Sequence, residues 1–201
     1  SSVNTKRIRP MKLVFLGPPG AGKGTHAVAI REKYNLCHIS TGELLRAEIA
    51  AGTELGLQAK TLIDNGNLVP DEVVEKMIAA KFDSVKNVDG FLLDGFPRTL
   101  RQAEDLDKIL ADRNCAVDAV ISLMISDDVV KQRIAHRAAI EGRADDASEE
   151  TINNRIKTYH SQTEPLIEYY TKQGKYHEVK ADAATIEENR ERVLSLLKDL
   201  Q

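Results

Sequence analysis

The chain has 201 residues and a net charge of −3 at pH 7, with 42% hydrophobic and 29% charged residues. That balance suits an ordinary soluble globular protein and gives no whole-chain case for nucleic acid or an anionic membrane as partner; any polyanion site must gather its cations locally. No apolar run approaches the roughly 20 residues needed to span a membrane. The two cysteines, Cys37 and Cys115, make neither a metal motif nor a disulfide framework, so a reducing, cytoplasmic location is expected.

Ser1 to Pro10 are polar and basic and lack the apolar core of a secretory signal. They are read as a short extension or tag remnant outside the fold. Lys12–Leu16 predicts the first strand, and the apolar periodicity from Ala27 to Tyr34 the first helix. Leu36–Ile39 predicts a weak second strand, Phe91–Asp94 a third, Val117–Ile125 the longest, and Tyr176–Lys180 the last. Helical patterns fill the intervals, as with Val73, Met77, Ile78 and Phe82 after Pro70. Continuous apolar runs such as Val14-Phe15-Leu16 suit a parallel sheet covered on both faces, so the fold class is α/β: a three-layer sandwich around a central five-stranded parallel sheet.

Two stretches interrupt this alternation. Residues 40–69 hold two short helical patterns, Glu43–Ala51 and Glu54–Asp64, with no strand. Residues 136–146 are polar and charged between two helices. Both read as excursions from a core made of 11–39, 70–135 and 147–201, and excursions near a ligand edge are candidate lids.

The chemistry begins at Gly17-Pro18-Pro19-Gly20-Ala21-Gly22-Lys23-Gly24-Thr25, between a strand and a helix. Glycines let successive N–H groups converge on one anion, and the following helix adds its positive end. Lys23 is placed for β- and γ-phosphates, and Thr25 for Mg²⁺ or its waters. This is a phosphate-binding loop, in a variant ending Gly-Lys-Gly-Thr.

Ser40 and Glu43 match a capping box at a helix start, which leaves Arg46 unexplained; beside a second phosphate site it would have a use. Asp94 ends an apolar strand near the phosphate loop, where Mg²⁺ coordination, direct or through water, needs a carboxylate. Arg98 can fork two hydrogen bonds onto a phosphate. Gln102 has two readings, the second half of a Thr99-x-x-Gln102 cap or a reader of a base edge. Arg133, Arg137, Arg143 and Arg155 surround the charged excursion. Two unit charges 4 Å apart interact by about 4 kcal/mol at an effective dielectric near 20, against about 1 in water, so arginines on a closing lid gain most once water is expelled. The histidines at 26, 38, 136, 160 and 177 show no metal-ligand spacing and are read as surface or core residues.

With these motifs in hand, the chain from Lys12 to about Leu197 resembles the adenylate kinases of the nucleoside monophosphate kinase family, which have the fold of P-loop NTPases. The resemblance rests on Gly17–Thr25, Ser40–Arg46, Gly66-Asn67-Leu68-Val69-Pro70, Phe91–Arg98 and Gly142-Arg143-Ala144-Asp145-Asp146. It implies reversible transfer, Mg-ATP plus AMP giving two ADP. It implies ATP contacts at Gly20, Ala21, Gly22, Lys23, Gly24, Thr25, Arg137 and Ala183. AMP contacts are implied at Thr41, Arg46, Asn67, Leu68, Val69, Gly95, Phe96, Pro97, Arg98 and Gln102. Arg143 and Arg155 would bridge the transferring phosphates and Arg133 would join them, so the catalytic set is Lys23, Arg98, Arg133, Arg137, Arg143 and Arg155. Asp94 and Thr25 would hold Mg²⁺ through water. Thr41 and Gln102 look like adenine-reading residues; pyrimidine-specific relatives usually carry Ala and Asn there. His26, Glu43 and Ala138 depart from the usual Gln, Asp and Gly, and none removes a phosphate contact. The short lid lacks the inserted zinc-binding hairpin of some members, so no zinc is expected. A monomer with no nucleic acid or membrane partner is expected. Two rivals, a nucleotide-binding regulator and a P-loop ATPase, would call for a lost lid arginine or Asp94, and for a water-positioning Glu or Gln, respectively.

Overall fold

The structure, a computed structural model, describes residues 11–65, 67, 69–140, 142 and 149–200. Five parallel strands form one sheet: β1 (Met11–Leu16), β2 (Cys37–Ser40), β3 (Gly90–Asp94), β4 (Ala119–Met124) and β5 (Tyr176–Lys180). Their order is β2-β3-β1-β4-β5, with the first strand in the centre. The helices among the described residues are α1 (Lys23–Tyr34), α2 (Thr41–Ala51), α3 (Glu54–Asp64), α4 (Asp71–Ser84), α5 (Leu100–Ala111), α6 (Asp127–Ile140), α7 (Glu149–Lys172) and α8 (Ile186–Asp199).

Strand alternation sorts the core into two layers. Leu13 and Phe15 of β1 join Leu92, Ile121 and Val179 against Ala27 and Ile30 of α1 and Val193 and Leu197 of α8. Val14 and Leu16 face the other way, with Ile39, Leu93 and Val120, against Val73, Met77 and Ile78 of α4, Leu106 and Leu110 of α5, and Leu166 and Tyr170 of α7. Fully burying each such side chain contributes about 1.5–3 kcal/mol. The double-sided covering is the reason the strands read as continuous apolar runs. A smaller cluster, Val130 and Ile134 with Ile152 and Ile156, fastens α6 to α7.

The register positions the site. Phe15 of β1 lies opposite Asp94 of β3, and Asp94 lies opposite Ser40 of β2. The segments that follow these three strands therefore leave the sheet at one level, on its carboxyl edge. The chain runs from β1 to β2 on one side while β4 lies on the other, so this edge opens a crevice at a topological switch point.

Some boundaries differ from expectation. α1 begins at Lys23, not near Ala27, because the phosphate loop feeds the helix directly. β4 is shorter than Val117–Ile125. The Ser40–Glu43 capping box does not form: Ser40 is the N-cap of α2 and has the extended backbone usual there, but its side chain makes no capping bond. α6 continues to Ile140, into the stretch read as a charged excursion, and residues 141 and 143–148 lie outside the described set.

The excursion at 40–69 is a helical pair. Thr53 caps α3 by accepting from the Gly56 N–H at 3.0 Å. At Gly56 a Cβ would lie 2.1 Å from the backbone oxygen of Glu48 in α2, so the two helices meet backbone to backbone. Gly56→Ala is expected to destabilise the protein by about 1–3 kcal/mol. That corresponds to a melting temperature about 2–12 °C lower in differential scanning calorimetry.

Candidate active site

The loop between β1 and α1 is built from backbone. Gly20 and Gly22 take positive φ values of 78° and 74°, which L side chains rarely adopt. Gly22 is the N-cap of α1 and offers no side chain to its first amides, so Lys23, Gly24 and Thr25 open the helix with N–H groups available to an anion. Ala21 is buried and its N–H closes a turn onto the Pro18 carbonyl at 3.1 Å.

Lys23 runs back over Gly17 and its Nζ meets Asp94 Oδ1 at 2.6 Å. The other carboxylate oxygen of Asp94 lies 3.1 Å from Nε2 of His38 on β2. Burial pulls the Asp94 carboxyl upward, but the His38 hydrogen bond and the Lys23 charge outweigh it and hold the group below the ordinary carboxylate range. An anion at neutral pH thus ties β3 to the phosphate loop.

Above it opens a cavity of about 560 Å³. Gly17, Pro19 and Lys23 line one side, Gly95, Pro97 and Arg98 another, and Arg155, Asn154, Tyr159 and Gln162 of α7 a third. A Cβ on Gly95 would lie 2.9 Å from Thr41 Oγ1 and 3.4 Å from Arg98 Nη2, so these three expected residues meet. Arg98 Nε donates to the Gly95 carbonyl at 2.9 Å. Phe96 is 1% exposed and belongs to the core, leaving only its backbone to face a ligand. Arg46 folds onto the first turn of α2, 3.3 Å from where a Gly42 Cβ would stand. Asn67 is exposed, with its N–H on the Leu62 carbonyl, and Val69 packs on the core.

A second cavity, of about 250 Å³, lies between the phosphate loop and α8. Gly20, Ala21, Gly22, Thr25, Arg133 and Ala183 line it, which brings Ala183 to the loop across most of the sequence. Arg133 Nη1 donates to the Gly20 carbonyl at 3.4 Å. The Ala183 N–H is held by Asn189 Oδ1 at 3.0 Å. Arg137 lies one turn beyond Arg133 on α6, exposed and outside both linings. Arg143 and Leu68 lie outside the described residues.

Comparison with known proteins places this geometry. The profile described as "Adenylate kinase" matches residues 15–175. The adenylate kinase of Flavobacterium psychrophilum is 45% identical over 190 residues, 94% of this chain and 100% of the relative. That of Corynebacterium aurimucosum is 48% identical over 187 residues, 93% of this chain and 99% of the relative. That of Bacteroides thetaiotaomicron is 48% identical over 169 residues, 84% of this chain and 89% of the relative. The chain belongs to the adenylate kinase family. It is a phosphotransferase of the ATP:AMP type, on the P-loop fold expected from the sequence.

Within this family member, sequence reasoning missed His38, which looked like an isolated histidine until the strand register set it beside Asp94. It also missed the polar face of α7, where Asn154, Thr158, Tyr159 and Gln162 line the larger cavity. Their helical spacing was the available signal, but a solvated face has the same pattern. His26 is 2% exposed on α1, lines the second cavity, and has no hydrogen-bond partner for Nδ1 among the described residues. Burial, then the charges of Arg190 and Arg133, push its protonation downward.

The lowered Asp94 carboxyl makes a signed prediction. Its contribution to stability is complete above the ordinary aspartate value near 3.9 and is lost as pH falls through the lower folded value. The stability margin of wild type over Asp94→Asn, from urea unfolding, is expected to be larger at pH 5 than at pH 3. A margin that grows toward pH 3 would contradict the assignment.

Proposed function

We propose that the chain moves the γ-phosphoryl group of Mg-ATP directly to AMP, reversibly, with closure of a lid and no phosphoenzyme. The observation that carries this reading is convergence of charge: Lys23 of the phosphate loop, Arg98 after β3 and Arg155 of α7 line one cavity. Phosphoryl transfer asks little covalent chemistry of a protein; it asks for position and for positive charge around the moving group.

In this reading, the backbone of Gly20, Ala21, Gly22, Gly24 and Thr25, with Lys23 and Arg137, holds the donor phosphates. Ala183 flanks the donor adenosine in the second cavity, and Arg133, which reaches the Gly20 carbonyl of the phosphate loop, joins Arg143 and Arg155 around the transferring phosphates. Thr41, Arg46, Asn67, Leu68, Val69, Gly95, Phe96, Pro97, Arg98 and Gln102 hold AMP. An oxygen of the AMP phosphate attacks γ-phosphorus as the bond to the β–γ bridging oxygen breaks, and that oxygen leaves on ADP. The attacking phosphate is mostly ionised at neutral pH, so no general base is required. Arg143 and Arg155 neutralise the charge shared in flight. Residues 40–69 act as the AMP-binding unit and 136–146 as the lid over the core.

Mg²⁺ fits the donor set. Among the described residues, no group of three or more His, Cys, Asp or Glu could cage a metal. Asp94 and Thr25 are the residues that would hold the ion, through water, beside the donor phosphates. When bound, the ion neutralises charge on the β- and γ-phosphates. Cys37 and Cys115 carry free thiols, in keeping with a reducing, cytoplasmic location, and no described helix is long and apolar enough to cross a membrane.

A coupled assay of ADP formation with AMP, CMP, UMP and GMP is expected to show preference for AMP; preference for CMP or UMP would move the protein to the pyrimidine group. Lys23→Met and Arg98→Ala are each expected to lower turnover at least about 100-fold, with unchanged circular dichroism. Near-wild-type turnover in either would remove that residue from the site. Calorimetric binding of ATP and AMP without turnover would identify a regulator instead.

A further inference from the structure

Gln102 is held more tightly than a cap requires. Its backbone N–H is accepted by Thr99 Oγ1 at 3.2 Å, which is the ordinary N-cap bond of α5. A capping box would then return the Gln side chain to the Thr99 N–H. Here Oε1 instead accepts from the Arg98 N–H at 2.7 Å, and Nε2 donates to Asp71 Oδ1 at 2.8 Å. Asp71 is the first residue of α4, 31 positions away.

Both partners are one-way groups. A backbone N–H only donates and an ionised carboxylate only accepts. The amide therefore has a single orientation: reversed, it would set NH₂ against N–H and carbonyl oxygen against carboxylate. An amide has two N–H donors and two lone pairs. One of each is taken, so one donor and one acceptor remain, at ends that cannot exchange.

That matters for a purine. The adenine edge offers the N6 amino donor and the N1 acceptor. Hypoxanthine reverses both, with O6 as acceptor and N1–H as donor. A free amide flips to suit either; a locked one suits one alone. We infer that Asp71 is a specificity-determining positioning residue, which locks the Gln102 amide so that the acceptor site takes adenine and rejects a 6-oxopurine. This rests on the reading of Gln102 as the residue that faces the AMP base.

The test compares kcat/KM for AMP with that for inosine monophosphate, ATP saturating, in wild type, Asp71→Asn, Gln102→Leu and the double variant. Asparagine keeps the shape at 71 but presents either an acceptor or a donor, leaving only the weaker neutral bond from the Arg98 N–H to orient the amide. Asp71→Asn is expected to lower the AMP-to-IMP ratio about fivefold or more, with the loss of AMP activity in KM and not in kcat. In the Gln102→Leu background the same change is expected to leave the ratio alone. A ratio within twofold of wild type in Asp71→Asn, while Gln102→Leu collapses it, overturns the lock and leaves the base reader standing. A ratio unmoved by Gln102→Leu overturns the base reader, and the lock with it. An acid at the first position of a helix also favours the helix dipole. If that were its whole role, Asp71→Asn would lower the melting temperature and leave the ratio unchanged, which again overturns the proposal.

Discussion

The carboxylate of Asp94 is the point on which the site depends. Its strand neighbours place it level with Phe15 and Ser40, the last turns of chain before two ligand segments. A charge so nearly enclosed is costly unless it is paired. Lys23 and His38 supply the pairing from two other elements, so one anion draws together β3, the phosphate loop and β2. Lys23 is thereby held over the phosphate loop, and it lines the same cavity as Arg98 and Arg155. The arrangement of these three elements follows from satisfying this one buried charge.

The cations around the cavity come from elements far apart in sequence, and that is the logic of the α/β frame. A parallel sheet sends every strand's carboxyl end to the same edge, so each following loop delivers its side chains to a shared space. Strong binding of a polyphosphate by a chain of net charge −3 needs no global field. It needs a few arginines and lysines gathered where water is scarce and the effective dielectric is low.

Much of this was legible beforehand because its physics is local. The phosphate loop is a backbone conformation plus one lysine, and both are written in consecutive residues from Gly17 to Thr25. The last strand, Tyr176–Lys180, and the helix Glu54–Asp64 were placed to the residue, since their boundaries coincide with turn residues. What could not be read depended on tertiary pairing. The His38–Asp94 contact exists only once β2 and β3 are in register. Ser40 stands where the sequence put a cap, at the N-cap of α2, but its side chain makes no capping bond. The polar residues of α7 looked like a wet surface because, on one helix alone, a ligand-facing stripe and a solvent-facing stripe are the same pattern.

The approach of α2 and α3 at Gly56 has a mechanical consequence. Two helices touching through their main chains, with a Cβ position 2.1 Å from a carbonyl oxygen, have no side-chain layer to act as a bearing. Neither can slide along or roll over the other without collision. Any displacement of α2 must therefore carry α3 with it, so the two helices behave mechanically as one stiff piece.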